Sequence, residues 1–220
     1  MKEWKGNSNS AHAAIAAHNG KGKSDRQEDD FYATDPKAIT LLLKGCSKWM
    51  LDKLRFSKSV EIGKLSDYIP TPIWECACGS GNLAHKLIKN GYLVWATDIK
   101  DRGYGAHHDV DFLTAKQCSM NIILTNPPYS LATEFIEHAL EILPDGGLYI
   151  ALMNITYLAG QKRYHKVYSK GCLRELYVFS KRIECWKNGE KPKDKCGSIA
   201  NYAWYVFQKG YNGQPTLYWL

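Results

Sequence analysis

Nowhere in this chain does an apolar run approach the roughly 20 residues that a membrane-spanning helix needs, although 45% of its 220 residues are hydrophobic. The N-terminal region likewise lacks the unbroken apolar segment of a secretory signal, because the short stretch from Ala11 to Ala17 is interrupted by His12. The seven cysteines are odd in number and irregular in spacing, which argues against the disulfide framework of a small secreted domain. Cys76 and Cys78 form only a C-x-C pair, and neither Cys185 nor Cys196 has a second cysteine beside it, so zinc-ligand spacing is missing as well. No internal repeat is present. These absences point to a cytoplasmic protein with no metal centre and no membrane partner.

Positive charge, by contrast, is in excess. The formal net charge of +7 favours a polyanionic partner, although a solvated basic face would read the same way. The length suits one domain. Residues 1–28, rich in Gly, Ser, Asn, Lys and Ala without a hydrophobic period, read as a flexible basic arm, leaving 29–220 as the folded domain. Ile39, Leu42, Leu43, Cys46, Trp49, Met50 and Leu54 recur at helical spacing, with Asp35 placed to cap and Pro36 in the first turn. That pattern predicts one helix of about five turns. A charged loop at 57–67 comes next. Buried runs at 72–76, 92–97, 120–125 and 148–153 then alternate with helical patterns at 82–90 and 131–143, which predicts an α/β fold with a mostly parallel sheet and helices on both faces. Beyond Asn154 the pattern loosens, with a helix expected at 161–169 and strands at 173–179 and 203–207 forming an antiparallel edge.

Three segments carry chemistry. In Glu75-Cys76-Ala77-Cys78-Gly79-Ser80-Gly81, two glycines follow a buried strand and open a helix, so a ligand can approach the backbone closely. A third glycine two or three residues on, which a dinucleotide site would use, is replaced by Leu83 and Ala84. Asp98 ends the next strand, where a carboxylate can accept from both hydroxyls of a ribose. Asp111 and Phe112 offer a carboxylate for an adenine amino group and a ring to pack on the base, while His107 and His108 read as exposed loop residues. Asn126-Pro127-Pro128-Tyr129 comes directly after a buried strand. Its prolines remove backbone donors and leave the Asn126 side-chain oxygen and the Pro127 carbonyl as rigid acceptors. Two acceptors suit an exocyclic amine, whose lone pair they would turn out of the ring plane and toward an electrophilic carbon. Tyr129 would give a stacking face for a base taken out of a helix.

Phe31-Tyr32-Ala33-Thr34-Asp35-Pro36, Glu75 to Gly81, Asp98, Asp111-Phe112 and Asn126 to Tyr129 together resemble the ordered motifs of amino-group DNA methyltransferases, especially small phage-type N6-adenine enzymes. The resemblance spans residues 31–153. It implies a Rossmann-like methyltransferase domain with a seven-stranded sheet, S-adenosylmethionine as cofactor, and DNA as partner. By the same resemblance Tyr32, Thr34 and Pro36 line the methionine end of the cofactor, and Glu75, Ala77, Gly79 and Gly81 form its floor. Asp98 holds the ribose and Asp111 and Phe112 the adenine. Asn126 to Tyr129 form the catalytic loop, with Asn126 also touching the cofactor.

The chain departs from the family pattern in two places. The family writes Thr-Pro where this chain has Thr34-Asp35-Pro36, and the fifteen positions from Asp111 to Asn126 leave no room for a separate recognition domain. Recognition is therefore expected from a basic insertion around 154–196, with Lys181, Arg182, Trp186 and Lys187 as candidate nucleic-acid contacts and phosphate binding that positions without reading sequence. RNA adenine methylation, protein-glutamine methylation and a catalytically silent DNA-binding subunit of the same fold remain as alternatives.

Overall fold

The computed structural model describes residues 31–55, 72–187 and 200–220. The arm expected at 1–28, the loop at 57–67, Ser198 and the second half of the basic stretch lie outside the described residues. Residues Phe31–Leu220 form one compact unit.

In chain order the elements are β1 (Tyr32–Thr34), α1 (Lys37–Gly45), α2 (Lys48–Arg55), β2 (Ile73–Glu75), α3 (Asn82–Lys89), β3 (Val94–Ala96), β4 (Ile122–Thr125), α4 (Ala132–Ile142), β5 (Leu148–Asn154), α5 (Gln161–Lys166), β6 (Leu173–Val178), β7 (Cys185–Lys187), β8 (Tyr202–Gln208) and β9 (Thr216–Trp219). Seven strands make the main sheet in the order β3-β2-β4-β5-β8-β6-β9, and β1 pairs with β7 in a separate two-stranded ribbon. β3, β2, β4 and β5 run parallel. The reversed strand expected at the edge is β8, but it lies inside the sheet, antiparallel to both β5 and β6. β9 completes the sheet alongside β6 in the parallel sense.

Strand residues alternate cleanly between two apolar faces, as the two-residue repeat of a pleated strand requires. Ile122, Leu124, Leu148, Ile150, Leu152, Trp204 and Val206 pack with α1 and α3. Ile123, Tyr149, Ala151, Met153, Ala203, Tyr205 and Phe207 pack with α4 on the other side. A sheet covered on both faces must be apolar on both, which is why these strands read as continuous hydrophobic runs. The Trp204 indole is fully buried and donates to the Ala38 carbonyl at 3.2 Å, fastening α1 to the sheet.

The single helix expected after Pro36 is two. Asp35 does act at the start, its Oδ1 accepting from the Lys37 amide at 2.9 Å. The break comes at Ser47, whose Oγ accepts from the Met50 amide at 3.0 Å and so caps α2. The same hydroxyl donates to Glu175 Oε1 at 2.8 Å, the Ser47 amide donates to the Tyr177 hydroxyl at 3.0 Å, and that hydroxyl donates to Glu175 Oε2 at 2.5 Å. A buried carboxylate on β6 is thereby satisfied by the junction of two helices. Glu175→Leu would leave the Ser47 and Tyr177 groups without their acceptor and is expected to cost about 1–3 kcal/mol. Urea unfolding measures this directly, and an unchanged midpoint would mean that the network contributes nothing to stability.

Candidate functional site

β2 has β3 on one side and β4 on the other, so the chain order reverses there and a crevice opens beyond the carboxyl ends of β2 and β4. Residues 76–81 and 126–129 emerge at that point. Gly79 and Gly81 hold φ of 55° and 79°, in the left-handed region that side chains with a Cβ avoid. The turn is tied to the neighbouring strand end by the Gly79 amide, which donates to Asp98 Oδ2 at 2.8 Å, and Asp98 Oδ1 accepts from the Lys100 amide at 3.0 Å. Each carboxylate oxygen keeps acceptor capacity beyond these bonds.

The space above both glycines is filled by aromatic side chains. A Cβ on Gly79 would collide with the Phe31 ring, and one on Gly81 would collide with the Tyr104 ring. The Arg102 guanidinium covers the outer face of this layer, 4.2 Å from the centroid of Phe31 and 3.7 Å from Asp98 Oδ1. The recess lined by Gly79, Asp98, Arg102 and Tyr104 has no room for a water molecule. On the far side of Tyr104, Pro36, Gly81, Asn82 and His85 line an open cleft of about 450 Å³. Sequence reasoning missed Phe31 as a lining side chain, Arg102 and Tyr104; the Gly103-Tyr104-Gly105 sequence was the available signal.

Asn126 is held by both of its amide hydrogens. Nδ2 donates to Thr34 Oγ1 at 2.9 Å and to the Tyr32 carbonyl at 3.3 Å, while Oδ1 is buried with no hydrogen-bond partner among the described residues. Strand β1 is fixed in turn by Asn82, whose Nδ2 donates to the Thr34 carbonyl at 2.9 Å, and by pairing with β7, which sets Tyr32 opposite Lys187 and Thr34 opposite Cys185. The motif before α1, the glycine turn and the loop after β4 thus meet at one place. Pro36 lines the adjacent cleft, and the loop's Pro127 is buried. The Tyr129 ring is stacked on Tyr32 at 6.0 Å and on Tyr202 at 6.2 Å, so it is engaged within the protein rather than standing open for a base.

Phe112 is a core residue, 2% exposed and packed with Trp74, Phe135 and His138. Asp111 is exposed and caps a short turn, Oδ1 accepting from the Leu113 amide at 2.9 Å. The Val110 amide donates to the Asp98 carbonyl at 3.1 Å, which brings this loop to the crevice. His107 and His108 are exposed loop residues. Lys181 and Arg182 are exposed, and the Trp186 indole donates to Glu184 Oε2 at 3.0 Å. Because β7 pairs with β1, Trp186 lies next to the strand that holds Asn126. Beneath the turn, burial pushes the Glu75 carboxyl up to about 8, the Asp98 charge adds to the rise, and the Thr125 hydroxyl and Ala77 amide oppose it. Neither Glu75 oxygen completes a hydrogen bond of ordinary geometry. Burial also pushes the Cys78 thiol up to about 12, so it remains protonated at neutral pH.

No protein-family model matches the chain, and no curated protein does. Solved structures do. A protein of Listeria monocytogenes provisionally assigned to the class I S-adenosylmethionine-dependent methyltransferases superposes with a TM-score of 0.54 at 13% identity, covering 96% of this chain and 72% of that one. The type IIG restriction endonuclease BpuSI superposes with a TM-score of 0.55 at 15% identity over 91% of this chain, which spans only 27% of that enzyme. The likeness is one of fold: the chain has the Rossmann-like architecture of these proteins. No helix of the described residues is long and apolar enough to cross a membrane.

A carboxyl that titrates near 8 when folded and near 4.5 ordinarily binds its proton more tightly in the folded chain. The stability tied to Glu75 is therefore complete below about pH 4.5 and is lost as the pH rises through about 8. Glu75→Gln stays neutral throughout, so its melting temperature should fall less than that of the wild type between about pH 5 and pH 9. Parallel declines would mean that Glu75 is already ionised in the folded protein.

Proposed function

We propose that this chain is an S-adenosylmethionine-dependent N-methyltransferase whose acceptor is the N6 amine of adenine in DNA. The observation that carries the reading is Asn126: both amide hydrogens are engaged by Tyr32 and Thr34, and the buried oxygen remains as an acceptor at the switch point. An acceptor held this way cannot rotate to offer its N–H groups, so it selects a donor such as an amine. The residues around it fit the cofactor. Gly79 and Gly81 give backbone on which a nucleoside or its tail can rest, and Asp98 retains acceptor capacity for ribose hydroxyls.

When bound, S-adenosylmethionine would supply a sulfonium methyl as the electrophile for the amine lone pair, with sulfur taking the S–C electrons and the amine proton passing to solvent. Asn126 Oδ1 and the Pro127 carbonyl orient the amine by accepting its hydrogens, which directs the lone pair out of conjugation. Thr34 and the Tyr32 carbonyl hold the amide in the required orientation. Phe31 and Tyr104 fill the space over the glycine turn, so a cofactor resting on that turn requires them to move aside. Tyr129, its ring stacked with Tyr32 and Tyr202, holds the loop against β1. DNA as acceptor is favoured by the motif resemblance and by the net charge of +7.

Incubation with tritiated S-adenosylmethionine and adenine-containing duplex DNA, followed by mass spectrometry of the nucleosides, should give N6-methyldeoxyadenosine. Cofactor binding without transfer to DNA would redirect the assignment to RNA or protein. Asn126→Ala should reduce turnover at least about a hundredfold with cofactor affinity retained, and normal turnover by that variant would sink the mechanism. Asp98→Ala should raise the Kd for S-adenosylhomocysteine about tenfold or more, and an unchanged value would place the ribose elsewhere.

A further inference from the structure

The turn after β5 leads to α5, which stands at the same end of the sheet as the Asn126 loop. The Tyr157 hydroxyl in that turn donates to the Tyr129 carbonyl at 2.8 Å, so the two segments are joined by a direct bond. From below, α5 is pinned by Val167, which is 2% exposed, and by Tyr168, whose hydroxyl donates to the Tyr157 carbonyl at 2.9 Å. The short run from Gln161 to Lys170 holds five side chains of basic type, and the structure divides them by what they already do.

Arg163 is committed internally. Its Nε donates to the carbonyls of Tyr157 at 3.0 Å and Ala159 at 2.9 Å, and its guanidinium lies 4.7 Å from the Tyr157 ring centroid. Lys166 and Lys170 both reach Glu137 on α4, at 3.5 and 3.8 Å. That leaves Lys162 and His165, both exposed and making no ion pair among the described residues. Between them in sequence, Tyr164 is 57% exposed, with its ring 5.4 Å from that of His165 in an edge-on arrangement. A cation, an imidazole and two exposed ring surfaces, fixed beside the mouth of the site by a helix that cannot swing away, match the two chemistries of a nucleic-acid strand: phosphate charge and base faces.

We infer that α5 is the surface on which the DNA strand carrying the target base is seated, with Tyr164 and His165 packing against a base or sugar and Lys162 neutralising a phosphate. This rests on the N-methyltransferase reading for the identity of the polymer and adds to it the place of contact. It also divides the labour among basic residues: Arg163 positions the loop through Tyr157, and Lys162 with the ring pair meets the partner.

The test uses the full chain and a fluorescently labelled adenine-containing DNA duplex, titrated by anisotropy at several salt concentrations, with S-adenosylhomocysteine titrated separately by calorimetry. Tyr164→Ala combined with His165→Ala should weaken duplex affinity about tenfold. Lys162→Ala should lower the slope of log K against log salt by about 1. Affinity for S-adenosylhomocysteine should be unchanged in both. Lys166→Ala, whose amine is held by Glu137, should leave the slope as it is. Unchanged duplex affinity and slope in the Lys162, Tyr164 and His165 triple variant overturns the proposal, as does a wild-type chain that binds no duplex. A chain that binds duplex through α5 yet never methylates it would overturn DNA as the methyl acceptor and leave the α5 surface standing.

Discussion

The two hydrogen bonds donated by the Asn126 amide hold together what the chain order keeps apart. Thr34 and Asn126 are separated by 92 positions, and the bond at 2.9 Å between their side chains closes the crevice at one corner. β1 is a three-residue strand whose only strand partner is β7, itself of three residues. Two such strands cannot stand alone in water. The ribbon persists because Asn82 and Asn126 both satisfy its backbone or hydroxyl groups from the main body. The arrangement is reciprocal: the loop after β4 orients the ribbon, and the ribbon locks the amide of that loop. These few polar contacts thus set both the position of the ribbon at the crevice and the direction in which the Asn126 oxygen points.

Much of this was readable from the amino-acid order, for reasons that differ by element. β2, β4 and β5 announced themselves as unbroken apolar runs because both faces of the sheet are covered, and the glycine turn was visible because only glycine tolerates the observed φ values. The break between α1 and α2 was hidden because Trp49, Met50 and Leu54 continue the apolar phase of the preceding helix. The local signal was Ser47, two residues after Gly45, in the position of a cap. The pairing of β1 with β7 joins residues more than 150 positions apart and leaves no local periodicity to detect. Phe112 was assigned to a ligand from its neighbour Asp111, while its ring completes an aromatic cluster in the core.

The space over the glycine turn is filled from within the protein. Phe31 and Tyr104 take the positions above Gly79 and Gly81 that bare backbone would otherwise present to solvent, and Arg102 caps them. The cofactor proposed for this turn would have to displace these contacts, so its affinity would be that of the open form scaled by the population of that form. In return the apolar rings are protected from water when the site is unused, and the same side chains are at hand to enclose a ligand once it is seated. Buried Glu75 beneath the turn adds an uncharged acid at neutral pH, which keeps a second negative charge away from Asp98.

The internal position of β8 governs the order in which the molecule can be completed. β5 and β6 are made before it, yet neither pairs with the other: both take β8, residues 202–208, as their partner. A nascent chain that has emerged only through β6 therefore carries two open strand edges rich in apolar side chains, the kind of edge that recruits other chains. Closure waits on a segment that leaves the ribosome only after the basic stretch has done so. The stretch from 181 to 195 follows β6 and emerges before β8; its six basic and three acidic residues add positive charge beside the open edges while they wait for their partner, which opposes self-association.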